Sequence, residues 1–384
     1  MQIKRILFIG QYPNSGDKYL NVFFQNLIFA IADKGIECIV ISPVSYTHYR
    51  SRIKKIPKEC KHKTKQGNVV KVYYPRYISY SSKNIGRWNT GRLTEKAFQR
   101  TALKMAVRLN DSIDCVYGHF FLQGGLSAIR VGRKLSIPAF IAFGECDFDS
   151  QVRHDYGDLK PSELIGLSGI ISVSTDNCNE LKTMDVFDPY QVLLAPNAVD
   201  TSLFHQMDKK KCRTKLGIPL DIFLVGFVGG FIERKGDKRV LAAINQLDNV
   251  YGAFAGRGEK PVGDRVVFCD ALDHDMVPTF LNACDVFVLP TLSEGSCNAV
   301  IEAMACGLPI ISSNLPFNYD ALDETNSILI DPMSIDEIKN AINTLRDCDL
   351  RKKMTKNSLS KINDFKIENR AKKILDFMNE RGLK

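Results

Sequence analysis

The sequence predicts an α/β protein made of two doubly wound parallel sheets in succession. Three observations carry this. Short β-rich apolar runs alternate with stretches of helical periodicity, the pattern of parallel βαβ units. The series restarts once, near Leu193-Leu194-Ala195-Pro196-Asn197. The length of 384 residues suffices for two domains with cores of their own. The expected division is a first domain over 1–190, a second over 191–365, and a C-terminal helix over 366–384 that packs back on the first. Two such domains face each other across a cleft, and in open parallel sheets ligands sit at the carboxyl ends of the strands.

In the first half the predicted strands are Arg5–Ile9, Glu37–Ser42, Val69–Tyr74, Asp114–Tyr117, Ala139–Phe143 and Ile170–Val173. Between the first two, Phe23, Phe24, Leu27, Ile28 and Ile31 recur at three- and four-residue spacing, and Gly35 ends that helix. After the restart, a polar basic helix from about Lys209 to Leu216 stops at Gly217, and the apolar strand Phe223–Val228 runs into Gly229-Gly230. Further strands are Tyr251–Ala255, Val266–Cys269, Val286–Leu289, Ile310–Ser312 and Ser327–Ile330, and from Ser334 onward the chain reads as polar helices.

Composition excludes several classes. With 45% hydrophobic and 25% charged residues the chain is not disordered, and no window reaches the roughly 18 to 20 apolar residues that span a bilayer. Lys4 and Arg5 precede only five residues, Ile6 to Gly10, before Gln11, Tyr12 and Pro13. That is shorter than the h-region of an export signal, so it reads as a buried strand. The 11 cysteines contain no Cys-x-x-Cys pair, which points to reduced thiols in a cytoplasmic protein and away from a zinc ribbon or disulfide framework. The net charge of +9 is uneven: Met1 to Ala195 carries 27 basic and 17 acidic residues, the rest 25 and 26. Between Arg50 and Arg108 lie 17 basic residues and only two acids, Glu59 and Glu95.

The most informative segment is Asp285 to Ser313, DVFVLPTLSEGSCNAVIEAMACGLPIISS. A buried strand ends at Pro290, a polar turn follows, and a helix begins near Ser296 and stops at Gly307, with Pro309 beyond. Backbone N–H groups around Gly295, Ser296 and Asn298, with the helix dipole, form an anion site at the strand's carboxyl end. Glu294 and Glu302 flank it. Carboxylates there suit the hydroxyls of a sugar and a ribose better than they suit phosphate.

Glu294, seven residues, Glu302 and then Ala-Met-Ala-Cys-Gly-Leu-Pro-Ile-Ile resembles the signature of family 4 of the retaining glycosyltransferases, group 1 glycosyl transferases of the two-domain GT-B fold. The resemblance implies that Glu294 contacts the transferred sugar and Glu302 the nucleotide ribose. In Val225 to Gly236, VGFVGGFIERKG, it implies that Arg234 and Lys235 neutralise the diphosphate, beside Gly229 and Gly230. Family members commonly have an arginine where Gly230 stands, and Arg234 supplies that charge here. Pro196-Asn197-Ala198-Val199-Asp200 to Phe204 resembles the segment opening the family's second domain. Ala255-Gly256-Arg257-Gly258-Glu259 resembles its Gly-x-Gly turn; it is not a dinucleotide fingerprint, because Pro261 stands where the third glycine belongs.

In the first domain His119 and the turn Phe143-Gly144-Glu145-Cys146-Asp147 lie at predicted strand ends. They resemble the family's strand-end His and its His-Gly-x-Asp turn, with Phe143 in place of the second His. The resemblance assigns Gly16, His119 and Asp147 to the acceptor, and His119 to sugar positioning or catalysis. No Asp-x-Asp follows a strand in a nucleotide-binding position, so the expected enzyme uses no metal and no cofactor. Arg234, Lys235 and the helix N-terminus stabilise the leaving diphosphate.

The sequence thus predicts a retaining hexosyltransferase that moves a sugar from a nucleotide diphosphate sugar, UDP in preference to GDP, to a glycan or lipid-linked glycan in bacterial surface polysaccharide synthesis. The family's front-face course needs no protein base. A sugar-nucleotide epimerase of the same fold and a noncatalytic polyanion binder are the alternatives. A nicotinamide oxidoreductase would need the missing glycine fingerprint. The basic belt, flanked by Tyr46, Tyr49, Tyr73, Tyr74, Tyr77, Tyr80 and Trp88, predicts peripheral attachment to the anionic inner face of the plasma membrane rather than nucleic-acid binding.

Overall fold

A computed structural model describes residues 2–80, 83–85, 88–109, 112–146, 148, 160–183 and 191–382. The chain divides into two units, Met1–Pro196 with Glu368–Lys384, and Asn197–Ile367. The first boundary falls beyond the expected 190 because Val192–Leu194 is a strand of the first sheet, not the start of the second, pairing Ile170 with Val192.

In the first unit the strands are β1 (Arg5–Ile9), β2 (Glu37–Ile41), β3 (Val44–Ser45), β4 (Glu59–Lys63), β5 (Val69–Tyr73), β6 (Arg76–Tyr77), β7 (Asn84–Ile85), β8 (Trp88–Asn89), β9 (Cys115–His119), β10 (Ala139–Phe143), β11 (Leu167–Ser172) and β12 (Val192–Leu194). The main sheet has the order β12-β11-β10-β9-β1-β2-β5-β4. It is parallel except where β4 runs antiparallel to β5. At its centre β1 pairs Ile6 with Cys38 on one side and with Cys115 on the other. Ile6, Leu7, Phe8 and Ile9 are wholly buried, as a central strand covered on both faces requires. Each such side chain contributes roughly 1.5–3 kcal/mol of burial.

The helix Val22–Ala32 buries Phe24, Leu27, Ile28 and Ile31, the stripe its periodicity predicts. The helix Gly91–Arg108 buries Phe98, Ala102 and Ala106, which pack with Leu7, Ile9 and Val116. Its Arg92, Lys96, Arg100, Lys104 and Arg108 recur every fourth residue, so the second half of the basic belt is one row on one helix. The first half forms helical turns over Tyr46–Tyr49 and Arg50–Lys55, then edge strand β4, whose Glu59, Lys61 and Lys63 are exposed while Cys60 and His62 are half-buried. Lysines on an edge strand also block pairing with another chain.

In the second unit the strands are β13 (Phe223–Val228), β14 (Val250–Ala255), β15 (Val266–Asp270), β16 (Val286–Leu289), β17 (Ile310–Ser313) and β18 (Ser327–Ile330), in the order β15-β14-β13-β16-β17-β18. Every pairing is parallel. From β13 the chain builds outward to β14 and β15, then crosses back to β16 and builds the other way. The switch point between β13 and β16 is where a doubly wound sheet leaves room for a ligand. The first unit has the equivalent switch between β1 and β9.

Within the second unit the two ends of the segment lie side by side: Val199 N–H donates to the Phe365 carbonyl at 2.8 Å and Ile367 N–H to the Val199 carbonyl at 3.0 Å. In the first unit the helix Ile367–Arg381 carries Arg370, whose Nε donates to the Ala195 carbonyl at 3.2 Å. All 11 cysteines are free thiols. No described helix is long and apolar enough to cross a membrane.

Candidate active site

The turns following β13 and β16 carry the two motif segments, and they are stitched together. Leu292 N–H donates to the Arg234 carbonyl at 2.9 Å, Arg239 Nη2 to the Pro290 carbonyl at 3.0 Å, and Arg234 Nη1 to the Ser293 carbonyl. At their junction Glu294 Oε1 accepts from Lys235 Nζ, from Arg234 Nη1 at 3.0 Å and from the Thr291 hydroxyl at 2.8 Å. Glu294 and Lys235 are mostly buried, 13% and 16% exposed, and Arg234 half-buried at 38%. The two cations that the sequence assigns to a diphosphate therefore rest on the carboxylate it assigns to the sugar.

Arg234 and Lys235 lie in the turn before the helix Asp237–Ile244, whose N-cap is Gly236 at φ 82°. Two cations beside a helix N-terminus are electrostatically unfavourable alone, and Glu294 offsets them. Gly229 and Gly230 follow β13 directly. A Cβ on Gly256 would stand 1.8 Å from the Gly229 carbonyl oxygen, so the turns after β13 and β14 touch backbone to backbone and only glycine fits at Gly256. A Cβ on Gly230 would meet nothing closer than 3.8 Å.

The helix after β16 is Asn298–Ala305, two residues later than the expected start at Ser296, and Gly307 at φ 76° follows its end. Buried Asn197 fixes the loop before it: its N–H donates to Ser296 Oγ at 3.3 Å and its Nδ2 to the Ser296 carbonyl at 3.1 Å. Gly295 is buried. The backbone N–H groups of Gly295, Ser296 and Asn298 find no acceptor among the described residues, which leaves donors for an anion at the helix N-terminus.

Glu302, inside that helix, has a partner the sequence reading missed. His274 Nε2 lies 3.2 Å from Glu302 Oε1, and the His274 ring meets Phe204 edge-on at 5.2 Å. Burial alone would lower the pKa of His274, but the Glu302 hydrogen bond and charge, with Asp275 and Asp200, raise it. Their separation of 28 residues leaves no periodic signal to find.

In the first unit His119 is the last residue of β9, not a residue beyond it. The expectation that it faces an open cleft is corrected by its packing. Its ring stacks on Phe24 at 4.1 Å and 12°, with Phe23 and Phe120 at 5.3 and 4.6 Å. Both ring nitrogens are buried without a hydrogen-bond partner. Burial, aided by the charge of Arg370, pushes its pKa down to about 3, which favours the neutral ring. The cause is local: a Cβ on Gly118 would stand 2.3 Å from the Gly124 carbonyl oxygen, so the chain folds back tightly and encloses the ring. Phe120 takes φ 61°. The Tyr117 hydroxyl and Arg370 Nη2 are also buried without partners.

Glu145, which the sequence reading passed over within its turn, is buried and accepts from the Phe121 and Gly144 N–H groups. Burial raises its pKa to about 7 despite those bonds. Asp147 lies outside the described residues. Gly16 sits in a turn where the Asn14 side chain accepts from the Gly16 N–H at 2.8 Å. A Cβ there would press on Ile56 and Tyr49 at 3.0 Å, and Ser15 Oγ donates to the Lys55 carbonyl at 2.6 Å. The belt's first half thus packs directly on the loop assigned to the acceptor.

The belt's aromatics do not all face outward. Tyr46 and Tyr80 are about half exposed, whereas Tyr74 is buried and donates its hydroxyl to the Pro13 carbonyl. Of the belt's two acids, Glu95 is buried and accepts from Gln123, so it does little to offset the surface charge.

Comparison with known proteins agrees with this architecture. Residues 208–361 match the family model of the group 1 glycosyl transferases. Over 352 residues the chain is 25% identical to the putative teichuronic acid biosynthesis glycosyltransferase TuaC of Bacillus subtilis, covering 88% of each chain. Among solved structures, sucrose-phosphate synthase from Thermosynechococcus elongatus superposes with a TM-score of 0.76 at 20% identity, covering 98% of both chains. HepE of Anabaena in complex with UDP-glucose gives 0.69 at 16%, covering 98% of this chain and 99% of that one. The chain has the GT-B fold of two Rossmann-like domains, and its residues 208–361 are a group 1 glycosyl transferase domain.

Proposed function

We propose that the chain is a retaining, metal-independent hexosyltransferase that takes a sugar from a nucleoside diphosphate sugar, UDP in preference to GDP. The acceptor is a hydroxyl of a glycan or lipid-linked glycan in bacterial surface polysaccharide synthesis. One observation carries the reading: Lys235 and Arg234 converge on Glu294 at the switch point of the second sheet, beside unpaired N–H groups at a helix N-terminus. A bound diphosphate takes over the two cations and those N–H groups. Glu294 is then released to accept from sugar hydroxyls, and Glu302 accepts from the ribose.

During transfer the bond from the anomeric carbon to the phosphate oxygen breaks and the bond to the acceptor oxygen forms on the same face. The acceptor's proton passes to the departing phosphate. Arg234, Lys235 and the helix N-terminus stabilise the charge that develops there. No protein base is needed. Glu294→Ala and Lys235→Ala are expected to lower transfer from UDP- or GDP-sugars by roughly 100- to 1000-fold. Wild-type rates in both variants would contradict the assignment. Transfer that survives excess EDTA supports metal independence, and a requirement for added divalent cation contradicts it.

A second proposal concerns location: the cytoplasmic face of a membrane, beside a lipid-linked acceptor. It rests on the row Arg92, Lys96, Arg100, Lys104 and Arg108 on one helix, on exposed Tyr46 and Tyr80, and on the packing of Lys55 against the Gly16 turn. Each cation near an anionic surface contributes about 1 kcal/mol. Flotation with anionic but not neutral liposomes at low salt is the expected result. Failure to float with either overturns it.

A further inference from the structure

The assignment of Glu302 to the ribose leaves its partner unexplained. A glutamate on a helix surface has free rotation about three side-chain bonds, and a ligand that uses it must first stop that rotation. Here the carboxylate is already held. His274 Nε2 meets Oε1 at 3.2 Å, and His274 is itself fixed by the Phe204 ring, Phe204 being fully packed at 1% exposure. Among the described residues Oε2 of Glu302 has no partner. The charged groups around the imidazole are Glu302 from the helix Asn298–Ala305, Asp200 from the segment leading to Phe204, and Asp275 from its own turn. All three are acids, so the surroundings favour the imidazolium.

We propose that His274 is a positioning residue for the nucleotide: it fixes the Glu302 carboxylate through Oε1 and leaves Oε2 as a preset acceptor for a ribose hydroxyl. The inference rests on the reading of Glu302 as the ribose contact. His274 does not touch the nucleotide. As pH rises and the imidazolium loses its proton, the hydrogen bond to Glu302 loses its charge assistance, and nucleotide affinity weakens.

The test is calorimetric titration of the full chain with UDP and with 2′,3′-dideoxyuridine diphosphate, or with the guanosine pair if GDP binds and UDP does not. The dideoxy nucleotide has the same diphosphate, so the ratio of the two dissociation constants isolates the ribose hydroxyls and cancels phosphate titration. His274→Ala is expected to weaken UDP binding roughly five- to tenfold and to leave the dideoxy nucleotide within about twofold. His274→Gln, which keeps a donor, is expected to restore most of the loss. In the wild-type chain the advantage of UDP over its dideoxy form should shrink from pH 6 to 8.5, and in His274→Gln it should stay flat. Equal weakening of both nucleotides in His274→Ala and His274→Gln, or none in either, overturns the proposal. Glu302→Ala distinguishes the failures: if it too leaves the UDP advantage intact, the ribose reading itself falls. If it abolishes that advantage while the His274 variants do not, only the role of His274 falls.

Discussion

The two units solve the same topological problem in opposite ways. Each sheet reverses its winding once, between β1 and β9 in the first unit and between β13 and β16 in the second. In the second unit the switch point holds paired polar groups: Glu294 with Lys235, Arg234 and Thr291. In the first it is filled with rings. His119 lies against Phe24, Phe23 and Phe120, and a Cβ on Gly10 would stand 2.9 Å from His119 Cβ. A doubly wound fold provides a crevice; the side chains decide whether it is a charged cradle or a packed plug.

The contrast can be broken at its most charged point. Glu294→Gln keeps the shape of the side chain and removes the charge that holds the two cations, so transfer should fall by roughly 100-fold or more while the fold stays intact. Equal thermal unfolding of variant and wild type, with the rate loss, is the expected pair of results.

Next in size is the pH response of the first unit. Glu145 has a folded pKa raised to about 7, above its unfolded value near 4.3. Its favourable contribution is therefore complete below about pH 4 and is lost as pH rises toward 7, at a cost of roughly 1–3 kcal/mol. Denaturant unfolding should show stability falling across that window. Glu145→Gln, which removes the titrating charge and keeps one of the two acceptor oxygens that Phe121 and Gly144 use, should flatten the fall; an unchanged slope contradicts the placement of a buried titrating carboxylate there.

A smaller effect is expected at His119. Its two ring nitrogens make no hydrogen bond, so His119→Phe removes buried polar atoms from an aromatic box and should change stability by about 1 kcal/mol or less. Transfer by that variant separates a packing role from an acceptor contact. A rise of more than about tenfold in acceptor KM assigns the contact, and a wild-type value leaves His119 as packing. The smallest effect is expected at Gly230→Arg. The site has space and on the proposed reading Arg234 supplies the charge, so donor KM should move less than about threefold. A larger gain would show that the cradle lacks a cation.

What was legible in the sequence follows the same divide. In the second unit Phe223–Val228 and Val286–Leu289 are continuous apolar runs followed by glycine and proline, so they read directly, and Glu294, Glu302, Arg234 and Lys235 fall within 13 residues of their ends. Where the first unit departs from plain βαβ order, the reading failed. The antiparallel edge strand Glu59–Lys63 is charged and half exposed, so it has no apolar run. Val192–Leu194 is only three residues long and runs into Ala195-Pro196-Asn197, so it read as the restart of the series, although it follows the helix Thr175–Lys182 and pairs parallel with β11. Contacts such as His274 with Glu302, or Phe24 on His119, exist only after folding, and a residue-by-residue pattern contains no trace of them. Burial also changes what a residue offers: a lone strand-end histidine suggests chemistry, and the ring of His119 is stacked on Phe24 with both nitrogens buried.

The central claim is that Lys235 and Arg234 rest on Glu294 only until a diphosphate claims them. The most direct measurement is the dissociation constant of UDP and of GDP for the wild-type chain, Lys235→Ala and Glu294→Gln under one buffer. The account predicts that Lys235→Ala weakens the bound nucleotide by about tenfold or more, while Glu294→Gln binds it as tightly as the wild type or more tightly, its cations being freed. Wild-type affinity in Lys235→Ala, or weakened nucleotide binding in Glu294→Gln, would contradict it.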